Sequence, residues 1–191
     1  MSNSQIQSVL ANSMKADEII SVYTDRNDPS SFSAGVITAL SNQHIVMRHV
    51  TPDGLSDGYL VRRVDDIFRI DVKGKYEERL KQLYTLQGQS HDHLLLPDVH
   101  EKNEVNLILQ CLTHAKEHRD IVSLSIDDTG ELDDLVGFVK EIGDDVVEIS
   151  CVNDQGFSDG GSFIFLQDIL KLNMRTTDEK ILALLFDNQC N

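Results

Sequence analysis

The chain has 191 residues, with 17 lysines and arginines against 32 aspartates and glutamates, and its formal net charge is −15. With 40% hydrophobic and 26% charged residues, its composition is that of a globular protein and excludes collagen-like, low-complexity and wholly disordered chains. No stretch approaches the roughly 18 apolar residues of a membrane helix, and the N-terminus lacks the pattern of a secretory signal. The acidic balance disfavours broad contact with nucleic acid or anionic membranes.

The three cysteines predict neither a zinc site nor a disulfide framework. Cys111, Cys151 and Cys190 are odd in number and none belongs to a C-x-x-C pair. Cys111 and Cys151 sit in apolar patterns typical of small core residues. We therefore expect a protein of the reducing cytoplasm, without metal or cofactor and without contact to a membrane.

The first part of the chain predicts a short helix followed by five strands and a closing helix. Apolar residues at helical spacing (Ile6, Val9, Leu10 and Met14) indicate the first helix. Short β-branched segments separated by turn residues then predict strands at about 19–24, 32–40, 44–50, 58–64 and 67–72. Tyr76, Leu80, Leu83 and Tyr84 give the closing helix one apolar face.

The second part of the chain repeats the first at a constant offset. DGLSDG at 53–58 corresponds to QGFSDG at 155–160, and Gly35 to Gly137. Apolar positions agree through most of this register, which indicates an internal duplication. The repeat predicts units at 1–86 and 104–191, joined by a linker at 87–103, and strands in the second unit at about 121–126, 135–142, 146–152, 160–166 and 169–174. In its closing helix, Thr176 and Glu179 have the spacing of a capping box.

The predicted fold class is mainly β with flanking helices (α+β). A helix followed by five tightly connected strands suits a small bent barrel, which removes its sheet edges by closure. The element order, the glycine in the second strand and Asp-Ile in the last strand, at 66–67 and 168–169, resemble an Sm-like barrel, or another SH3-like barrel. We therefore expect two tandem five-stranded barrels.

The RNA-binding residues of the Sm-like family are missing. The resemblance implies an Asp and an Asn around the loop after the glycine-bearing strand. Those positions hold Ser41 and Ile45 in the first unit, and Gly143 and Val147 in the second. A chain can share the fold of this family without sharing its RNA-binding function.

Charge separates the two halves and suggests one contact surface. Residues 1–86 hold 10 basic and 11 acidic residues, whereas residues 87–191 hold 7 and 21. The basic residues of the first unit are interleaved with acids, which is typical of a solvated, salt-bridged face. The alternative is a contact surface for nucleic acid or an acidic partner, formed by Arg62, Arg63, Arg69, Lys73 and Lys75.

The fourth strand of the second unit predicts an interface. Phe163, Ile164, Phe165 and Leu166 are apolar on both faces of this strand, whereas the first unit has two arginines at the equivalent positions. We expect Ile164 or Phe165 to be covered by the first unit, the linker or a partner subunit; a helix lying over the strand is the local alternative.

Two other groups of residues are weaker candidates for metal-binding sites. Asp53, Asp57 and Asp159 stand beside glycines, which suits a hard cation but suits a tight turn better. The histidines His91, His93, His100, His114 and His118 could supply metal ligands, but nothing fixes a third ligand, and solvated side chains are favoured.

No catalytic motif of a known class is present. We expect a non-enzymatic interaction or scaffold protein that binds a protein partner or itself. The alternative is an RNA- or ribosome-associated protein that uses the basic face of the first unit.

Overall fold

A computed structural model describes residues 3–90, 94, 105–127, 129 and 132–189. It divides into two units, Met1–Leu107 and Ile108–Asn191. The chain is mainly β with flanking helices, as the sequence predicted. Most of the predicted linker at 87–103 lies outside the described residues. Within the described ranges, no helix is long and apolar enough to cross a membrane.

The first unit contains five antiparallel strands and two helices. Their order is α1 (Asn3–Lys15), β1 (Ile19–Tyr23), β2 (Ser33–Leu40), β3 (His44–Val50), β4 (Ser56–Arg63), β5 (Arg69–Val72) and α2 (Lys75–Leu86). A 3-10 turn at Val64–Asp66 joins β4 to β5. The predicted placement of Asp66-Ile67 in the last strand is therefore wrong, because these residues end the turn and precede β5.

Both faces of the first sheet carry apolar residues. Ile20 and Val22 belong to a buried cluster with Ile6 and Leu10 of α1. Their neighbour Ile19 belongs to a second cluster with Leu80 of α2. Because side chains alternate along a strand, β1 supplies the core on both faces and is buried throughout.

The second unit has the same order of elements at a constant offset. It contains α3 (Leu107–His118), β6 (Ile121–Ser125), β7 (Leu135–Ile142), β8 (Val146–Val152), β9 (Ser158–Phe165), β10 (Lys171–Met174) and α4 (Thr177–Gln189). The first strands begin at 19 and 121, and the last strands at 69 and 171, an offset of 102 in both cases. The predicted cap of α4 is confirmed, since the Thr176 N–H donates to Glu179 Oε2 over 2.8 Å.

The expected closure of each unit into a barrel is wrong. The strand order is β5-β1-β2-β3-β4 in the first unit and β10-β6-β7-β8-β9 in the second. In each unit the fourth and fifth strands therefore stand at opposite ends of an open antiparallel sheet. The 3-10 turns at Val64–Asp66 and Leu166–Asp168 carry the chain from one end to the other.

One close backbone approach occurs at equivalent positions of both units. A Cβ atom on Gly35 would lie 2.0 Å from the carbonyl oxygen of Arg48, and one on Gly137 would lie 2.1 Å from that of Ser150. The register then shifts a few residues along, between Ile37 and Ala39 and between Val139 and Glu141. Only glycine allows the second and third strands to approach this closely.

We predict that Gly137→Ala destabilises the second unit. The added methyl group would meet the Ser150 carbonyl at 2.1 Å, so the backbone must move. We expect the free energy of unfolding to fall by about 1–3 kcal/mol. Gly161→Ala is the matched control in the same sheet, because its Cβ would have no atom nearer than 3.5 Å. Equal urea midpoints for the two variants would contradict this account of Gly137.

We also predict that His44 makes the first unit sensitive to acid. Its side chain is buried, and its ring Nδ1 has no hydrogen-bond partner among the described residues. Burial, and secondarily the positive charge of Arg63, lowers the pKa of His44 from 6.5 to about 4. The unfolded state therefore binds more protons, so the stability that His44 contributes is complete above pH 6.5 and is lost towards pH 4.

His44→Val tests this sensitivity, because the second unit has Val146 at the equivalent position. The variant should lose less stability than the wild type between pH 6.5 and pH 4, measured by urea unfolding. An unchanged pH dependence would show that His44 does not contribute to it.

Candidate functional site

The predicted basic residues fall into two groups at opposite ends of the first sheet. Arg62 and Arg63 end β4, whereas Arg69 begins β5, and Lys73 and Lys75 follow it. β5 and β4 are the first and last strands in this unit's strand order, so β1, β2 and β3 lie between the two groups. The sequence run is therefore not one continuous patch on the sheet.

Most of these basic residues have a carboxylate partner. Nitrogen–oxygen distances are 3.8 Å for Arg63–Asp66, 2.7 Å for Arg69–Asp71 and 3.3 Å for Lys73–Glu18. Arg62 donates to the carbonyl oxygen of Val61. Such exposed pairs contribute little to stability, but they reduce the positive potential available to a polyanion.

The four residues of the predicted interface alternate between buried and exposed. Ile164 and Leu166 are buried, whereas Phe163 is 72% and Phe165 51% exposed. In the strand register Phe163 lies opposite Glu148 and Phe165 opposite Val146. The sequence left the outward residue open between Ile164 and Phe165, and the structure identifies Phe163 and Phe165 as the outward pair.

The histidine pair of α3 does not form a metal site in this structure. The rings of His114 and His118 stack at 4.0 Å with an interplanar angle of 10°. The Nδ1 atom of His118 lies 2.9 Å from the carbonyl oxygen of His114, so this nitrogen faces the backbone. Within the described residues, no three His, Cys, Asp or Glu side chains are placed to hold a metal ion. His91, His93 and His100 lie outside those residues.

His114 itself is buried, so the expectation of a solvated side chain is wrong for it. It packs beside Asp120, which accepts a hydrogen bond from Arg175 Nε over 2.7 Å. Burial, together with the neighbouring His118 and Arg175, lowers the pKa of His114. The neutral ring is thus the favoured form.

The structure shows an aromatic cleft in the first unit that the sequence analysis did not predict. This concavity, of about 670 Å³, lies where β5 and the start of α2 meet β1, and we call it the aromatic cleft. Phe32 stands between two tyrosines, with ring centroids 5.1 Å from Tyr23 and 5.2 Å from Tyr76. The cleft is lined by Tyr23, Phe32, Arg69, Asp71, Lys75 and Tyr76, among others.

The guanidinium of Arg69 is held at the edge of the aromatic cleft by two neighbours. Its Nε and Nη2 atoms donate to the two carboxylate oxygens of Asp71, over 2.9 and 2.7 Å. The same guanidinium lies 4.4 Å from the ring centroid of Tyr23. Tyr23 donates its hydroxyl to Asp71, and both burial and this bond raise the pKa of Tyr23. A side chain fixed in this way is preorganised to meet an anion.

A second polar pair, His49 and Asp57, lies at a pocket next to the aromatic cleft. A smaller pocket of about 240 Å³ shares Phe32 and Tyr76 with the aromatic cleft and is also lined by His49. The Nδ1 atom of His49 lies 3.0 Å from Oδ2 of Asp57. Burial lowers the pKa of His49 despite this carboxylate. The neutral ring thus donates to Asp57 through Nδ1, so its Nε2 atom is an acceptor.

Asp57, which the sequence assigned to turn chemistry, lies in β4 just after the turn. Gly54 has a φ of +78° and Gly156 a φ of +81°, as such tight turns require. The turn interpretation thus accounts for the glycines, whereas Asp57 also orients a histidine.

The second unit has the same elements but does not repeat the aromatic residues of the cleft. At the offset of 102, the positions of Tyr23, Phe32, His49, Arg69 and Tyr76 hold Ser125, Asp134, Cys151, Lys171 and Asp178. Asp134 instead accepts a hydrogen bond from Ser123 over 3.1 Å. A position-by-position comparison of the two repeats would have revealed this difference, because three aromatic residues are replaced by polar ones.

Comparisons with known proteins leave the family open. No family model matches the chain, and no curated protein matches it. Two solved structures of MrkH from K. pneumonia, one of the apo state and one of a P2(1) crystal, align over 99% of this chain. Their identities are 10% and 11%, they are covered over 96% and 94% of their lengths, and the TM-scores are 0.21 and 0.20. TM-scores this low support no conclusion about the fold or the function of this chain.

We predict that Cys111 is unreactive in the folded protein. It is fully buried on α3, and burial raises its thiol pKa to about 12. Since the thiolate is the reactive form, iodoacetamide at pH 8 should label Cys111 only after unfolding. Mass spectrometry of the alkylated peptides gives the order of labelling, with the partly exposed Cys151 as the internal reference. Labelling of Cys111 at the rate of Cys151 would contradict its burial.

Proposed function

We propose that this protein is a non-enzymatic interaction protein that assembles with further copies of itself through β9. The observation that carries the proposal is the exposure of Phe163 and Phe165 on the last strand of the second unit's order. Two large apolar side chains on one face of an edge strand favour association, because covering them removes apolar area from water.

The equivalent strand of the first unit supports this proposal. Tyr59, Leu60 and Val61 of β4 are all buried, on both faces of the strand. At the offset of 102, Val61 corresponds to Phe163, the most exposed phenylalanine of β9. The same position is thus covered in one unit and bare in the other, where the side chain is larger. We infer that β9 acquires its cover from another molecule.

The occupant we propose is β5 of a second copy. In the described part of the chain β5 pairs with β1 and β9 with β8, and they stand at the ends of their units' strand orders. Val72 of β5 is 40% exposed and can add to an apolar contact. Charge disfavours the alternative pairing of two second units, because residues 87–191 are strongly acidic, whereas residues 1–86 are nearly neutral and repel them less. Contact of two different surfaces gives a ring or a filament.

We further propose that the two units arose by duplication of one Sm-like or SH3-like domain in a cytoplasmic protein. The constant offset of the elements, the paired glycine contacts and the matching register shifts support this. The basic groups of the first unit could instead contact RNA or a ribosome, but their carboxylate partners make this the weaker proposal.

We predict that Phe163→Ser combined with Phe165→Arg abolishes self-association. Arg is the residue of the first unit at the position of Phe165, so the strand tolerates it. Sedimentation velocity at about 10 and 100 μM should show the wild type shifting to larger species and the double variant remaining a monomer. Leu86→Ala is the control, because Leu86 is an 83% exposed apolar side chain on α2 of the first unit and belongs to neither β9 nor β5.

A wild type that stays monomeric at both concentrations would show that self-association is wrong. RNA binding that weakens steeply with salt and is lost in Arg62→Glu with Arg63→Glu would favour the alternative function.

A further inference from the structure

The aromatic cleft of the first unit offers a surface on which a planar ring can stack. Phe32 is 38% exposed and meets Tyr76 edge to face, with an interplanar angle of 87°. These rings are held by their neighbours, so little conformational entropy is lost when a ligand covers them. Stacking of a nucleobase on an aromatic side chain is favourable for every base.

The same cleft has a cationic edge. Asp71 and Tyr23 fix the plane of Arg69, whose side chain remains 56% exposed. Lys75 also lines the cleft, and no ion pair is described for it within the ranges that the structure covers. Asp71 offsets the charge of Arg69, which therefore contributes a planar donor edge, whereas Lys75 contributes a mobile positive charge for phosphate. The carboxylate of Glu77, which also lines the cleft, is bonded to Ser21 and to the backbone of Gly74.

The shared order of strands and helices does not require Phe32 or Arg69. The second unit builds the same strands and helices with Asp134 and Lys171 at the equivalent positions. An exposed phenylalanine beside a fixed arginine is therefore a property of the first unit alone. Tyr76 packs on the buried cluster around Leu80, whereas Phe32 stays 38% exposed and can be covered by a ligand.

We propose that the aromatic cleft binds a nucleoside monophosphate. The base stacks on Phe32 and meets Tyr76 edge to face, and the phosphate contacts Arg69 and Lys75. A volume of about 670 Å³ accommodates such a ligand, since small-molecule sites occupy roughly 300–1,000 Å³. The site does not include β9, but β5, the strand proposed to pair with β9 of a second copy, lines it.

The test is binding of AMP, UMP, adenosine and inorganic phosphate to the full chain, measured by saturation-transfer NMR and calorimetry. We expect AMP and UMP to bind with a dissociation constant at or below about 1 mM. Adenosine and inorganic phosphate should each bind at least about 10-fold more weakly, because each lacks one half of the recognition. If adenosine bound as tightly as AMP, the proposed phosphate contact with the cationic edge would be wrong. If inorganic phosphate bound as tightly as AMP, the proposed base stacking would be wrong.

Variants that introduce the residues of the second unit locate the site. Phe32→Asp should weaken AMP binding by about 10-fold or more through lost stacking. Arg69→Lys keeps the charge but loses the planar fork, and we expect a loss of about 5-fold or more. Phe163→Ser on β9 is the control and should bind AMP at least as tightly as the wild type, because it leaves every residue of the cleft in place and weakens the pairing that would engage β5.

Arg69→Lys keeps the proposal testable if Phe32→Asp fails to fold, because Lys171 occupies the equivalent position in the second unit. No binding of AMP or UMP at about 5 mM would overturn the proposal. So would unchanged AMP affinity in Phe32→Asp and Arg69→Lys when both are folded by circular dichroism.

Discussion

The close approach of the second strand to the third at a single glycine is the constraint on which each unit depends. At Gly35 and Gly137 the neighbouring carbonyl oxygens leave no room for a side chain. The register shift that follows in each strand pair bends the sheet. In each unit a helix packs on the bent sheet. The 3-10 turn then connects the fourth strand to the fifth, at the opposite end of the strand order. The same device at an offset of 102 explains why two halves with few identical residues share one fold.

The surfaces of the two units differ because the shared scaffold leaves them free to change. In the first unit aromatic rings and a fixed arginine line a cleft, and β4 is buried. In the second unit polar residues replace the cleft, while β9 exposes Phe163 and Phe165. Residues that one copy uses and the other omits are not required by the shared order of strands and helices. They are therefore where binding to other molecules is to be sought.

The sequence predicted the elements well because local patterns specify them. β-Branched segments between turn residues predicted β3 and β8 at the bounds that the structure shows. Thr176 and Glu179 correctly predicted the start of α4. It failed where long-range geometry decides, since neither the open strand order nor the 3-10 turn at Asp66 leaves a periodic signal. The aromatic cleft was missed for the same reason. Tyr23, Phe32 and Tyr76 are far apart in sequence and meet only through the fold. Arg69 was noted as one charge in a run, whereas its partner Asp71 determines its role.

Hydrogen–deuterium exchange of the full chain at low and high protein concentration tests the central claim most directly. This claim is that β9 is the surface through which the protein associates. The account predicts that amides of β9 (Ser158–Phe165) and of β5 (Arg69–Val72) become protected as the concentration rises, while the buried strand β1 (Ile19–Tyr23) exchanges as before. Exchange in β9 that does not change with concentration, or new protection confined to the aromatic cleft, would contradict it.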